Sequence, residues 1–348
     1  MKTTFHRRGI NRAASVVLLT ALCGTIVAAG SNSSLAASSK SKTTAKPSTK
    51  SKKPFAGMRS PNGKPINPAT VFNAEPASSD ASLPSAPSAA DAYDIVAKNS
   101  SYYAIAFIGT DARPNEKMDR TRADTIQIFM YNKSKNRATM FSIPRDTYVP
   151  IADKGKSDKI NSALSNGSPE ILLRTIRLVT GVNVNSYVLT GFSGFQNMVN
   201  QLSGVSVLVD PAINDKASGA QFNKGWFVFN GEAALAYARA RKTLPKGDFS
   251  RSFNQYRLIL YTLLKMRTET SSITDLATWI KVLRANSVSN LNPTDYLYLA
   301  QIARSIDPIT QIDFQVAPTS TKKGTTYEIL GPDAIAFFKD VSVDGVRG

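Results

Sequence analysis

Two groups of charged and polar side chains in this sequence have the types and spacing to do chemistry. The first is Asp111, Arg113, Arg120, Arg122, Asp124 and Arg145; the second is Arg239, Arg241, Asp248, Arg251 and Gln255. Guanidinium groups neutralise clustered anionic oxygens through planar donor forks, and carboxylates hold a hard cation or accept a proton. Little else is open to this region. The one His is His6 and the one Cys is Cys23, so from Asn99 onward there is no His base, no Cys nucleophile, no Cys or His metal site and no disulfide. Catalysis there must run on carboxylates, guanidinium groups, hydroxyls and Lys, with an oxygen-ligated hard ion as the remaining option.

The first group belongs to strand ends. Tyr103 to Gly109 reads as a strand, Thr110 to Asp124 as a polar loop, and Thr125 to Tyr131 as the returning strand. A turn, Asn132 to Asn136, leads to a third strand, Arg137 to Ile143, which ends in Pro144-Arg145-Asp146. Apolar runs bounded by Gly, Pro and Asn are what strands covered on both faces look like, and their ends are where sheets hold ligands.

The second group belongs to helix ends. Asn230 caps a helix through Ala238 that runs into Arg239-Ala-Arg241; Arg239 and Arg241, two apart, would diverge on a continuous helix, so the helix must unwind at one of them. After a loop, Lys242 to Asp248, a long helix carries Arg251 and Gln255 one turn apart, with Tyr256, Ile259, Leu260, Leu263 and Leu264 as its apolar stripe. Between the groups lie a helix capped by Ser168, started by Pro169 and stopped by Gly181, a strand (Asn185 to Thr190), a helix with Phe195, Met198, Val199 and Leu202 on one face, and a strand (Val205 to Val209). Helices near Ile273 to Ala285 and Pro293 to Ile306, strands at Ile312 to Val316 and Tyr327 to Leu330, and a helix at Pro332 to Val341 read as the flank of the same domain. Strand and helix alternate, giving an α/β layered domain whose opening hairpin makes the sheet mixed. Trp226 and Trp279 are expected to be packing residues.

Charge narrows the partners. The 348 residues carry 43 Lys and Arg against 25 Asp and Glu, a net +18, divided evenly about residue 99. That favours a polyanion: nucleic acid, anionic lipid headgroups or a phosphate-rich envelope polymer. Upstream, Lys2, Arg7, Arg8 and Arg12 precede an uncharged stretch, Ala13 to Gly30, which fits either a cleaved secretory signal or an uncleaved membrane anchor within residues 1–30. Residues 31–98, rich in Ser, Ala, Pro and Lys, read as a disordered linker whose basic run, Lys40 to Lys53, suits weak contact with wall polyanions or anionic lipid. Residues 99–348 are long enough for one large domain working outside the membrane. Export and the lack of a recognisable DNA-reading motif argue against nucleic acid as partner.

Six blocks, in order, carry a resemblance: Ile108-Gly-Thr-Asp-Ala-Arg113, Arg122-Ala-Asp-Thr-Ile126, Ser142-Ile-Pro-Arg-Asp-Thr-Tyr148, Lys159-Ile-Asn161, Asn230-Gly-Glu-Ala-Ala-Leu-Ala-Tyr-Ala-Arg239 and Gly247-Asp-Phe-Ser-Arg251. The chain resembles the LytR-CpsA-Psr family, closely over residues 103–267 and loosely beyond. The resemblance implies a three-layer α/β/α sandwich on the outer face of the cytoplasmic membrane of a Gram-positive bacterium, anchored there or secreted if the N-terminal segment is cleaved. It implies a phosphotransferase that moves a glycopolymer phosphate from an undecaprenyl diphosphate carrier to a peptidoglycan sugar hydroxyl. By the same resemblance Asp111 and Asp124 hold Mg²⁺ or Mn²⁺, while Arg113, Arg122, Arg145, Lys159, Arg239, Arg241 and Arg251 bind the diphosphate and Gln255 orients it. Asp248 or one of the metal-site Asp residues is the candidate base. Many relatives carry Arg where this chain has Asn254, which is expected to remove one cation from the rim. The lipid tail requires an apolar slot, expected between the sheet and helices such as Pro169 to Val179 and Phe192 to Leu202. A lipid-diphosphate pyrophosphatase sharing the same clamp, and a non-catalytic binding or regulatory protein, are the competing functions.

Overall fold

The computed structural model describes residues 101–112, 116–321 and 326–348. The expected signal or anchor, the linker and Arg113 lie outside them.

The chain opens with the hairpin the sequence predicts: β1 (Tyr103–Thr110), β2 (Ala123–Asn132) and β3 (Arg137–Ser142). A small hairpin, β4 (Tyr148–Ile151) and β5 (Lys156–Lys159), follows, then a single turn α1 (Ser162–Ser165) and α2 (Pro169–Thr180). The predicted punctuation of α2 is met: Ser168 Oγ accepts from the Ile171 N–H, and Gly181 stops the helix at φ 68°. Next come β6 (Ser186–Thr190), α3 (Phe192–Gln201), β7 (Val205–Val209), β8 (Ile213–Asp215), β9 (Ala220–Phe222) and β10 (Gly225–Phe229). The helices α4 (Gly231–Arg239), α5 (Asp248–Glu269) and α6 (Ile273–Ala285) lead to β11 (Val288–Ser289) and α7 (Pro293–Ser305). The chain closes through β12 (Ile312–Val316), β13 (Thr319–Thr321), β14 (Glu328–Leu330) and α8 (Pro332–Asp344).

Six strands form a mixed sheet in the order β11-β6-β1-β2-β3-β12. The opening strands are antiparallel to one another, whereas β6 runs parallel to β1 and β12 parallel to β3. Both edge strands come from the C-terminal part, so that part completes the sheet as well as flanking it.

Alternation along the strands feeds two cores. Ile105, Phe129, Tyr131, Met140 and Val188 face one way, onto residues of α3, α4, α5 and α7 and onto the β7–β10 ribbon. Ala104, Ala106, Ile108, Ile128, Met130 and Phe141 face the other, onto α2 and α8. Among the described residues, no helix is long and apolar enough to cross a membrane.

Candidate active site

The site begins with a slip in register. β1 and β2 pair regularly up to Gly109↔Thr125, after which Thr110 pairs with Ala123 and Asp124 is left as the extra residue of a bulge. A bulge bends the strand and re-aims the side chain it leaves unpaired. Gly109 permits this one, because a Cβ there would lie 3.0 Å from Thr125 Cβ. Asp124 meets Arg145, just beyond β3, whose Nη1 donates to Oδ1 at 2.6 Å. Behind them, Arg145 Nε lies 3.5 Å from Asp146 Oδ2, and Lys159 Nζ donates to Asp146 Oδ1 at 2.8 Å.

The helix ends arrive from the other side. The Arg251 Nη2 lies 2.8 Å from Asp248 Oδ1 and 3.4 Å from the Asp124 carbonyl oxygen, tying the start of α5 to the bulge. Arg239 closes α4, and Ala240 leaves helical geometry (ψ 127°), so it is Arg241 that sits where the helix unwinds. Arg241 Nη1 stands 3.8 Å from Asp248 Oδ1, and the Arg239 guanidinium lies 4.8 Å from the centre of the Phe192 ring. Gln255 Nε2 donates to the Ala238 carbonyl at 3.2 Å, holding α5 against the last turn of α4.

One organising residue was not anticipated. Asp215, at the end of β8 and only 2% exposed, accepts the N–H groups of Arg241 (2.7 Å) and Lys242 (2.8 Å) on Oδ2 and those of Ala217 and Ser218 on Oδ1. Burial by itself would raise its pKa, but the four backbone donors outweigh it and hold the carboxyl below its ordinary value. Asp215 therefore fixes the turn that presents Arg241. In the sequence it is one more Asp in a polar loop, and nothing there connects it to a turn 26 residues away.

The electrostatics suit an anion. Burial pushes the Arg251 guanidinium down; Asp248 and Asp124 oppose the shift, while the charges of Arg145 and Arg241 add to it. Arg251 Nε is buried with no hydrogen-bond acceptor among the described residues. A phosphoryl oxygen arriving at the guanidinium group would relieve the crowding of cations.

This charged cluster stands at one end of a cavity of about 660 Å³. Asp111, Asp124, Arg145, Arg239, Arg241, Arg251 and Gln255 line it. Most of the rest of its wall is apolar and includes Phe107, Phe195, Met198, Leu202, Ile259 and Leu263. The lining follows α5 from Arg251 to Met266, which at 1.5 Å per residue is roughly 22 Å. Such a shape accommodates a charged head and a long apolar tail.

Other expected site residues lie elsewhere. Arg122 is exposed and does not line the cavity, Lys159 stands behind Asp146, and Asp248 lies under Arg251. Three expectations are corrected. The slot has no wall from Pro169 to Val179, because α2 packs on the opposite face of the sheet; α5, α6 and α7 line it together with α3. Asn254 is not a rim position: it is 4% exposed, and its Nδ2 donates to the Tyr237 carbonyl. Trp279 does more than pack, since it lines the slot.

Asp111, exposed beyond β1, and Asp124 both line the cavity. Among the described residues no cluster of three or more metal-binding side chains occurs. A hard ion held by two carboxylates, with water and substrate oxygens completing its shell, matches the habits of Mg²⁺.

Known proteins resemble this chain in sequence and in fold. The model of the LytR_cpsA_psr family matches residues 69–340, most of the sequence. The chain belongs to that family. The polyisoprenyl-teichoic acid--peptidoglycan teichoic acid transferase TagU of Bacillus subtilis (strain 168) is 34% identical over 189 residues, 54% of this chain. The TagU of Bacillus mycoides (strain KBAB4) is 34% identical over 187 residues, likewise 54% of this chain. In both cases the match spans 60% of the relative's length. The crystal structure of B. subtilis TagV superposes with a TM-score of 0.60 at 27% identity, covering 69% of this chain and 95% of that one. The structure of TagT bound to LI-WTA gives 0.58 at 25% identity, covering 70% and 91%. The LytR_cpsA_psr chain described here thus shares its mixed α/β fold with these proteins.

Proposed function

We propose that this protein transfers a glycopolymer phosphate from an undecaprenyl diphosphate-linked donor to a sugar hydroxyl of peptidoglycan. The observation that carries the reading is a cavity that follows about four turns of α5, mostly apolar from Leu258 to Met266 and crowded with guanidinium groups at the Arg251 end. A polyprenyl diphosphate has that same division of chemistry, and a water-soluble phosphate ester has no use for the apolar length. The names of the relatives point the same way and make a teichoic acid the first polymer to try.

In this reading the acceptor oxygen forms a bond to the phosphorus next to the polymer. The bridging P–O bond breaks with its electron pair, and undecaprenyl phosphate leaves. Arg145, Arg241 and Arg251 neutralise the phosphoryl oxygens as charge develops, and Gln255 and Arg239 bound the head on the α4 side. Mg²⁺ or Mn²⁺ held by Asp111 and Asp124 would add Lewis-acid charge at the diphosphate. The hydroxyl proton passes to one of the carboxylates of the charged cluster, Asp111, Asp124 or Asp248. Arg145, paired with Asp124, lines the cavity.

We assign the described domain to a three-layer α/β/α sandwich with a mixed central sheet, held at the outer face of the cytoplasmic membrane by the N-terminal segment or secreted if that segment is cleaved. Titration with polyprenyl diphosphates of increasing length tests the slot. Affinity should climb with chain length until about 22 Å of cavity is filled, whereas affinity independent of chain length would contradict the reading.

A further inference from the structure

Among the described residues, one aromatic side chain is exposed: Tyr148, at 40%. It stands three residues after Arg145. Its ring lies 4.7 Å from that of Tyr327, tilted by 46°, and the two make a shallow aromatic ledge. Neither ring lines the apolar cavity, so the ledge lies outside the lipid slot.

The ledge is rigidly mounted. Thr147, fully buried, closes a tight turn onto the Pro144 carbonyl and bridges to Glu328, while the Glu328 N–H donates to the Asp146 carbonyl. Tyr148 itself pairs with Lys159 across the small hairpin. Lys159 Nζ lies 5.7 Å from the centre of the Tyr327 ring and pairs with Asp146, whose other oxygen approaches Arg145. The aromatic surface, an ammonium and a carboxylate thus form one patch continuous with the clamp.

We infer that Tyr148 and Tyr327 form a saccharide-binding ledge for the acceptor, a glycan strand of peptidoglycan. The inference rests on the transfer reading above. If the tail fills the slot and the clamp holds the diphosphate, an in-line attack brings the hydroxyl from the open side. The acceptor must therefore be held outside the cavity and next to Arg145, where the ledge is. Pyranose rings offer an apolar C–H face and a rim of hydroxyls, and tyrosine rings beside Lys159 and Asp146 complement both. Covering a rigid aromatic surface also needs little ordering of the protein.

The test uses the full-length protein with three variants, Tyr148→Ala, Tyr148→Phe and, as a remote exposed apolar control, Ile335→Ala. Calorimetric titration with a peptidoglycan glycan tetrasaccharide reads the ledge without turnover, and acceptor and donor KM are read separately with a lipid-diphosphate sugar. Tyr148→Ala should weaken glycan binding and raise acceptor KM by about ten-fold, with donor KM within two-fold of the parent and an unchanged melting curve. Tyr148→Phe, which keeps the ring, should restore most of the loss, and Ile335→Ala should change neither. Glycan binding that disappears in Tyr148→Ala supports the ledge even if no transfer is detected. Unchanged acceptor KM in a Tyr148→Ala protein that transfers normally would overturn the ledge and leave the transfer reading standing. A rise in donor KM alone would assign the ledge to the donor polymer and overturn it as an acceptor site.

Discussion

At the scale of single residues, the site depends on how few side chains position the cations. Asp124 sits on a bulge, so its direction comes from a one-residue slip in pairing and not from its place in the strand. Asp215 acts at one remove, by holding the backbone of Arg241 and Lys242. Its replacement by Asn removes a charge-assisted acceptor for backbone donors and should cost roughly 1–3 kcal/mol in denaturant unfolding, with transfer reduced chiefly through looser donor binding. The pH dependence follows from the sign of its shift. A carboxyl held below its unfolded value, about 3.9, stabilises the fold at neutral pH and loses that contribution as pH falls through its folded pKa. The acid limb of the unfolding profile below about pH 4 should be shallower in Asp215→Asn than in the parent. The charged types and their blocks were legible in the sequence because chemistry restricts which residues serve phosphate. The role of Asp215 was not, since it comes from a tertiary hydrogen bond between two loops.

At the scale of elements, α5 works along two stripes. Tyr256, Leu260 and Leu264 are buried in the core, while Ile259 and Leu263 line the slot. Both kinds of position look alike in the sequence, because both are apolar at helical spacing. That is why the slot could be expected but its lining could not be named, and why α2, also amphipathic, is expected at it although it serves the opposite face. The distinction has separable consequences. Leu260→Ala removes a buried side chain and should cost about 2–5 kcal/mol, seen as a lower unfolding midpoint. Ile259→Trp adds volume to a space already empty of protein atoms; it should leave the midpoint near that of the parent and weaken binding of long-chain polyprenyl diphosphates far more than of short-chain analogues. Helix contacts are similarly specific: a Cβ on Gly231, at the start of α4, would lie 2.2 Å from the Gln196 carbonyl of α3. Both helices line the slot, so Gly231→Ala should perturb lipid binding and stability together.

At the scale of the whole molecule, the mixed sheet separates two jobs. One face carries the core shared with α2 and α8, and the other carries the helices that leave a cavity between them. Strand and helix punctuation predicted most of this layering, since capping residues and Gly stops act locally. The pairing of β12 with β3 and of β11 with β6 was beyond it, because edge partners are chosen by long-range contact. The net charge of +18 belongs to this scale as well: association with vesicles containing anionic lipid should weaken steeply between low and physiological salt. On this account the guanidinium clamp at one end of the slot serves phosphoryl transfer to a sugar. The direct test is mass spectrometry of products formed by the full-length protein from a lipid-diphosphate-linked glycan, Mg²⁺ and peptidoglycan oligomers, with Arg145→Ala alongside. A phosphodiester-linked glycan on the oligomer, lowered roughly 10²–10³-fold in Arg145→Ala, is the predicted result; free sugar phosphate with no conjugate, or conjugate undiminished in Arg145→Ala, would contradict it.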